Sequence, residues 1–270
     1  MADANAAAFF DLDRTLISGS SAFYFGVAAW RKKMIPTGDL LSDGAKAVSF
    51  KLFGATDESS ESVRDRILQA VQGQQQAALI ALNEEIVPRI LEKVRPESRS
   101  LVDMHHEAGR DCWIVSASPV EVVAPLAKAL GMEGAIATTS EVVDGRYTGR
   151  LDGPFVYGEG KAEAIAKLAA ERGYDLRLSF SYSDSASDLP MMEMVGHPVA
   201  VNADRPLQNV AQQRGWPMVE FSRKTKQVVK TTTAIGGGIA LASATYALGR
   251  RHGRINTLAA RGSQLLLPWR

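Results

Sequence analysis

The chain alternates short, unbroken apolar runs with longer stretches in which apolar residues recur at helical spacing. Runs without the polar alternation of a half-solvated sheet point to strands buried on both faces. Such strands alternating with helices point to an α/β architecture, a parallel sheet covered by helices. The expected strands are Ala7 to Leu12, Cys112 to Ser116, Leu178 to Ser183 and Val199 to Asn202, and the expected helices Pro119 to Leu130, Gly160 to Arg172 and Asp188 to Val195. From about Ser18 to Arg95 strand signal nearly vanishes, and the stretch reads as a helical insertion with helices at Ser60 to Val71 and Gln76 to Leu91. In "EVVDGRYTGRLDG" (141 to 153), two β-prone runs joined at Asp144-Gly145 predict a hairpin. His105 and His106 lie in a helical stretch, where adjacent residues face different ways, so they read as structural or solvent-facing rather than as paired ligands.

Composition narrows the picture. The 270 residues, 46% hydrophobic and 23% charged, suit a globular core with an accessory domain. Lys and Arg number 31 against 30 Asp and Glu, so the formal charge of +1 offers no global field for nucleic acid, and an anionic ligand has to be met locally. The single cysteine, Cys112, excludes an internal disulfide and a multi-cysteine zinc site, and its apolar neighbours Trp113, Ile114 and Val115 mark it as a core residue. The N-terminal "MADANAAAFF" has no basic region, and its apolar run stops at Asp11. It does not read as a signal peptide, and a cytoplasmic catalytic domain is expected.

The polar residues then fall into order. Asp11 and Asp13 follow the first strand and Ser116 the second; Lys161 opens a helix; Asp184 and Asp188 follow the third strand. In a doubly wound parallel sheet the carboxyl ends of the strands share one edge, and ligands bind there. Carboxylates that converge repel one another unless a hard divalent cation uses them, and Mg²⁺ takes one or two carboxylates together with waters and phosphate oxygens. A lysine and a serine hydroxyl supply the positive charge and hydrogen-bond donor that phosphoryl oxygens require.

The set "DLDRTL", "VSAS", "GEGK" and "SDSASD" resembles the four motifs of the haloacid dehalogenase (HAD) superfamily, in order and at sensible separations. The helical insertion after the first motif is similar to the C1-type cap of the phosphoserine phosphatase-like branch, subfamily IB. The resemblance implies a Rossmann-like sheet with helices on both faces. It places the catalytic core at residues 1 to 17 and 98 to 222 and a helical cap at 18 to 97. It also implies that Asp11 is the nucleophile that becomes an aspartyl phosphate and that Asp13 is the general acid and base. Thr15 would orient the loop, and Ser116 and Lys161 would hold the phosphoryl group. Mg²⁺ would be held by the Asp11 carboxylate, the Asp13 main-chain carbonyl and Asp184, with Asp188 supporting it. Arg14, Ser20 and Ala117 complete the expected substrate-contact set, together with Ser116 and Lys161.

Plainer roles compete at several positions. Asp11 or Asp13 could cap a helix, Ser116 could serve a turn, and Asp188 could cap the helix opening at Leu189-Pro190. A P-loop reading of "YGEGKA" fails, because Phe155 stands where the first glycine belongs and Ala162 follows the lysine. Departures from the branch bear on substrate. Ser20 stands where phosphoserine phosphatases carry a glutamate that grips the substrate ammonium, Ala117-Ser118 replaces a glycine pair, and Ser187 replaces an asparagine. Arg14, more basic than the usual serine, suits a larger or more anionic phosphomonoester.

After Ser222 come the basic "RKTKQVVK", then nineteen uncharged residues (231 to 249), then "RRHGR". The length and flanks suit membrane contact, and Ala234, Gly238 and Ala242 form a small-xxx-small row. Three consecutive glycines and few large apolar residues favour instead a loosely attached or interfacial apolar helix, so both readings of 223 to 270 stand. The expected activity is Mg²⁺-dependent hydrolysis of a small phosphorylated metabolite. The alternatives are a phosphotransferase or lipid-phosphate phosphatase using the same site, and a non-catalytic membrane-tethered binding protein.

Overall fold

The computed structural model describes residues 5–32, 64–65, 68–69 and 71–221. Its centre is a six-stranded, wholly parallel sheet of strand order β3-β2-β1-β6-β7-β8. The strands are β1 (Ala7–Asp11), β2 (Asp111–Pro119), β3 (Gly134–Thr138), β6 (Phe180–Ser183), β7 (His197–Val201) and β8 (Met218–Val219). A two-stranded antiparallel hairpin, β4 (Ser140–Val143) and β5 (Arg146–Leu151), stands apart from the sheet.

Both faces of the sheet are covered, as the unbroken apolar runs require. Successive residues of a strand point to opposite faces. Ala8, Phe10, Cys112 and Ile114 therefore enter one core cluster, and Ala7, Phe9, Trp113 and Val115 the other. The first cluster is closed by α4 (Pro96–Glu107) and α5 (Val120–Ala129), the second by α6 (Glu159–Arg172), α7 (Leu189–Glu193) and α8 (Arg205–Arg214). Within the first cluster Phe10 stacks on Tyr182 with ring centroids 4.6 Å apart. There His105 is fully buried and bonds the Tyr182 hydroxyl at 2.8 Å, while Arg110 donates to its other ring nitrogen at 2.8 Å. Burial and then the Arg110 charge push the His105 pKa down to about 3, so the imidazole is neutral. His106 points outward, so the two histidines do face apart.

Between β1 and β2 the described elements are helical: α1 (Ser21–Arg31), α2 (Gln76–Ala81), α3 (Asn83–Leu91) and α4. The single helix expected from Gln76 to Leu91 is two. The break falls at Leu82, where the last turn of α2 and the first of α3 close with i to i+3 bonds, Leu82 N to Leu79 O and Glu85 N to Leu82 O. Buried Leu82 packs into the core, and the Asn83 side chain donates to the Glu121 carbonyl at 2.6 Å. The tertiary contact sets the break, which apolar spacing alone does not register. Of the helix expected over Ser60 to Val71, the described members 64–65, 68–69 and 71 are helical. The hairpin turns at Asp144-Gly145 as expected, with φ of 49° and 74°, the paired left-handed conformations of a tight two-residue turn. It docks on the insertion, Gly73 N donating to Tyr147 O at 2.8 Å and Gln76 N to Gly145 O at 2.9 Å.

The expected strand Leu178 to Ser183 begins only at Phe180, because Leu178 and Ser179 close turns on Asp175 and Leu176. Strands β3 and β8 lie at the two sheet edges; β3 (GAIAT) is built mainly of small residues and β8 has two residues, so neither carries the large apolar run that predicts a strand. Among the described residues no helix is long and apolar enough to cross a membrane. The segments at 223 to 270, including 231 to 249, lie outside the described residues.

Candidate active site

Asp11 is the last residue of β1, and the chain behind it folds back tightly. Leu16 N donates to Asp11 O at 3.3 Å, Ile17 N to Leu12 O at 3.1 Å and Arg14 N to Gly19 O at 3.1 Å. The turn forces Arg14 to a φ of 65°, a left-handed conformation that a residue with a Cβ adopts only where its surroundings impose it. Thr15 is buried; its carbonyl accepts from Ser98 Oγ at 3.0 Å, and its own hydroxyl has no hydrogen-bond partner among the described residues.

Lys161 is brought in by α6. Gly158, with φ of 53°, turns the chain into that helix, and Gly160 lies so close to the preceding loop that a Cβ there would stand 2.0 Å from the Phe155 carbonyl oxygen. Of the glycines of "GEGK", Gly158 is thus required by its left-handed φ and Gly160 by the approach of the helix start to that loop. The buried Lys161 ammonium lies 2.6 Å from Asp11 Oδ1 and 2.9 Å from Asp188, whose Oδ2 also accepts from Ser183 Oγ at 2.6 Å. Burial alone would push the lysine pKa down, but Asp11 and Asp188 together outweigh it and hold the ammonium above its ordinary value. Asp188 precedes α7 but makes no side-chain capping bond, so its carboxylate serves Lys161 and Ser183 rather than the helix.

Asp184 follows β6. Its carbonyl accepts from Asp204 N at 2.7 Å, and the Asp204 carboxylate caps α8 through Leu207 N at 2.9 Å and accepts from Ala186 N at 3.2 Å, which fixes the loop. Its own carboxylate meets Arg14 Nε at 2.9 Å. Asp13 is held by the start of α1: Ser21 N donates to Oδ1 at 2.7 Å, and Ser20 Oγ reaches Oδ2 at 3.4 Å. The Ser21 hydroxyl meets Ser118 Oγ at 2.7 Å, and Ser118 N donates to Ser116 Oγ at 3.2 Å. Ser116 therefore does take part in a turn-like bond while standing at the carboxyl end of β2. Ala117, the next residue, is half-buried beside it.

The electrostatics follow from enclosure. Desolvation pushes the Asp11 carboxyl up to about 7 against the lowering pull of Lys161, and it pushes Asp184 up to about 8, with the Asp11 charge adding to the rise. Desolvation also raises Asp13, against the lowering bonds from Ser21. Among the described residues the cations set against Asp11, Asp13, Asp184 and Asp188 are Lys161 and Arg14, so with every group ionised this set carries two excess negative charges. Oxygen donors with that excess fit a hard divalent cation. Lys161 lies between Asp11 and Asp188 while Arg14 draws on Asp184, so in this arrangement the side-chain cations share the oxygens that a metal would need.

The sequence-predicted residues thus gather along the carboxyl edge of β1, β2 and β6. Ser21, Ser118, Ser183 and Asp204 were not among them, although each left a trace. Ser20-Ser21 precedes the apolar run of α1, Ser118 lies in the "VSAS" motif, Ser183 immediately precedes Asp184, and "ADRP" is a capping signature ahead of a proline-led helix.

This arrangement on a parallel α/β sheet defines a phosphoryl-transfer hydrolase class. The family model for haloacid dehalogenase-like hydrolases matches residues 8–193. The chain belongs to that family, in its phosphoserine phosphatase-like branch, and is a phosphatase. It is 38% identical over 261 residues to phosphoserine phosphatase SerB1 of Mycobacterium tuberculosis, covering 96% of this chain and 82% of the relative. It is 30% identical over 222 residues to a histidinol-phosphatase of Neisseria meningitidis, covering 79% of this chain and 98% of the relative. A crystal structure of a protein of unknown function from Bordetella pertussis Tohama I superposes with a TM-score of 0.70 at 30% identity, covering 79% of this chain and 97% of that one.

Proposed function

We propose that the chain hydrolyses a small phosphomonoester, with Asp11 as nucleophile and Asp13 as acid and base. The observation that carries this reading is the Lys161 ammonium, buried and bridging Asp11 Oδ1 at 2.6 Å and Asp188 at 2.9 Å. It orients one carboxylate oxygen, offsets its charge and leaves Asp11 Oδ2 without a hydrogen-bond partner among the described residues. Asp11 attacks phosphorus and the bond to the alcohol oxygen breaks. Asp13, whose pKa is raised by burial, gives its proton to that oxygen and then takes one from the water that cleaves the aspartyl phosphate. Ser116 and Lys161 steady the phosphoryl oxygens. Asp11, the Asp13 carbonyl and Asp184 would hold Mg²⁺, with Asp188 in support, and the ion would supply charge stabilisation to the transferring group.

The named relatives act on phosphoserine and histidinol phosphate, both primary-alcohol esters with an ammonium on the neighbouring carbon. Ser20 removes the carboxylate that would grip that ammonium, and half-exposed Arg14 offers a cation instead. The substrate class we favour is therefore an anionic phosphomonoester with its negative charge near the ester. The test is a panel of phosphoserine, histidinol phosphate and glycerol- and lipid-derived phosphates with Mg²⁺. Hydrolysis should vanish in Asp11→Asn, and turnover that survives this change overturns the assignment. Adding small alcohols separates hydrolysis from phosphotransfer, because a transferase would form the alkyl phosphate in place of inorganic phosphate.

A further inference from the structure

At the opposite end of the sheet, away from the carboxyl edge, three side chains of metal-ligating type converge. Cys112 is the second residue of β2, Glu133 immediately precedes β3 and His106 lies in the last turn of α4. One ligand atom from each, His106 Nε2, Cys112 Sγ and a Glu133 carboxylate oxygen, lie within 4.8 Å of one another. We propose that His106, Cys112 and Glu133 form a second, thiolate-containing site for a borderline-soft divalent cation, Zn²⁺ by the chemistry of its donors.

Size, donor type and rigidity agree on this. A tetrahedral ion with bonds of about 2.0–2.1 Å to nitrogen and oxygen sets those ligands roughly 3.4 Å apart. His106 Nε2 and Glu133 Oε2 are already 3.4 Å apart. With a bond of about 2.3 Å the sulfur belongs roughly 3.6 Å from each, so from separations within 4.8 Å the site closes by a shift of roughly 1.2 Å at most. The same Glu133 Oε2 accepts from the Cys112 main-chain N–H at 2.5 Å, a bond that orients the carboxylate and leaves a second lone pair for an ion. Imidazole, thiolate and one carboxylate suit zinc, whereas the all-oxygen catalytic cluster suits Mg²⁺. His106 and Glu133 are each about one-third exposed, which leaves a route for the ion and a fourth position for water.

The thiol has no better use in the metal-free protein. Among the described residues Sγ donates only to the carbonyls of Val102 at 3.9 Å and Arg110 at 3.8 Å. Burial, then the charge of Glu133, pushes the thiol pKa up, with Asp111 and Asp103 adding to the rise and Arg110 opposing it. The same surroundings, three carboxylates against one guanidinium, favour a bound cation. On binding, the S–H bond breaks, an S–Zn bond forms and the proton leaves to solvent, with no change of oxidation state. The bound ion would clip the end of α4 to the starts of β2 and β3.

The experiment is cobalt and zinc titration of the full chain with its catalytic site saturated by Mg²⁺. One equivalent of Co²⁺ should produce a thiolate-to-cobalt charge-transfer band, and one equivalent of Zn²⁺ should abolish it and release about one proton per site. The band should be absent in Cys112→Ser, and Co²⁺ affinity should fall at least about tenfold in His106→Ala and Glu133→Gln. These last two positions are partly exposed, so both variants should fold and be checked by circular dichroism even if the serine variant does not. No charge-transfer band in the folded wild type, or a band equally strong and tight in both exposed-ligand variants, overturns the proposal. Neither result bears on the phosphatase reading, because turnover of an aryl phosphate in Mg²⁺ should be unchanged in His106→Ala.

Discussion

Lys161 Nζ lies 2.6 Å from Asp11 Oδ1 although 150 positions separate the two residues in the chain. The contact is buried on both sides, so the ammonium is the principal counter-charge to the carboxylate and is not screened by solvent. Replacing Lys161 with Gln should lower kcat by about 10²–10³, the cost of removing one preorganised donor from a charge-developing site. Steady-state kinetics with Mg²⁺ present checks this, and a loss confined to KM would argue that the lysine only binds substrate.

Asp13 is held most closely by a main-chain N–H, that of Ser21 at 2.7 Å, with the Ser20 hydroxyl farther off at 3.4 Å. Ser21 is the first residue of α1, and Ser20 before it is extended, at φ −120° and ψ 124°. Proline fits the first position of a helix after an extended residue and lacks only the N–H. Ser21→Pro should therefore keep α1 but free the Asp13 carboxylate and lower kcat by about tenfold or more. Ser21→Ala, which removes only the hydroxyl bonded to Ser118, should have the smaller effect. Equal losses in the two variants would show that the hydroxyl chain, not the amide, positions Asp13.

Arg14 occupies Asp184 without being enclosed itself, its side chain being 54% exposed against 6% for its partner. A pair this open contributes little to stability, about 0–1 kcal/mol. Arg14→Gln should consequently leave the melting temperature nearly unchanged and tighten Mg²⁺ binding by up to about fivefold, because a competing cation leaves the carboxylate. The same change should raise KM for the most anionic substrates. Calorimetric Mg²⁺ titration and the substrate panel give opposite signs for one residue, and a fall in both affinities would remove the competition argument.

Asp11 and Asp184 make the metal-free protein pH-sensitive in a fixed direction. Burial raises their carboxyls to about 7 and about 8, above the values of the unfolded chain. The stability they contribute is therefore complete below about pH 4 and is lost as pH rises through those values. His105, depressed to about 3, acts oppositely, but its effect fades as pH rises past about 6.5, where the unfolded imidazole also gives up its proton. In chelator, the melting temperature should thus fall between pH 6.5 and 8, and fall less in Asp184→Asn. Protons and Mg²⁺ compete for the same oxygens, so Mg²⁺ affinity should weaken as pH drops from 8 to 6. Thermal melts with and without Mg²⁺ across that window check both signs.

Gly160 tests the packing under the lysine. A methyl group there would meet the Phe155 carbonyl at 2.0 Å, so the loop or the start of α6 must shift. Gly160→Ala should cost about 1–3 kcal/mol of stability, as overpacking does, and lower kcat by displacing Lys161. Unaltered turnover would mean that the loop yields instead of the helix.

The chemistry was legible in the sequence because it sits at element boundaries that local pattern marks well. Apolar runs ending in Asp11, Ser116 and Asp184, and a glycine-rich entry to the helix of Lys161, name the strand ends and helix start without tertiary knowledge. The Asp144-Gly145 turn was equally readable, since only a few residue types accept two left-handed conformations in succession. Strands β3 and β8 were not, because edge strands of small residues or of two residues owe their form to pairing with the adjacent strand rather than to an apolar run of their own. The break at Leu82 escaped for the same reason, being set by burial and by the Asn83 contact with Glu121.

The order of the residues alone determined a parallel sheet buried on both faces and the residue types gathered along its carboxyl edge, since side-chain periodicity and the chirality of strand connections follow from local geometry. Tertiary structure decided which charges meet: that Lys161 bridges Asp11 and Asp188, that Arg14 turns to Asp184, and that an amide of α1 holds Asp13. Those pairings depend on distances of a few ångströms between segments far apart in the chain, and on the desolvation that follows when they close together, and neither quantity is encoded in local sequence.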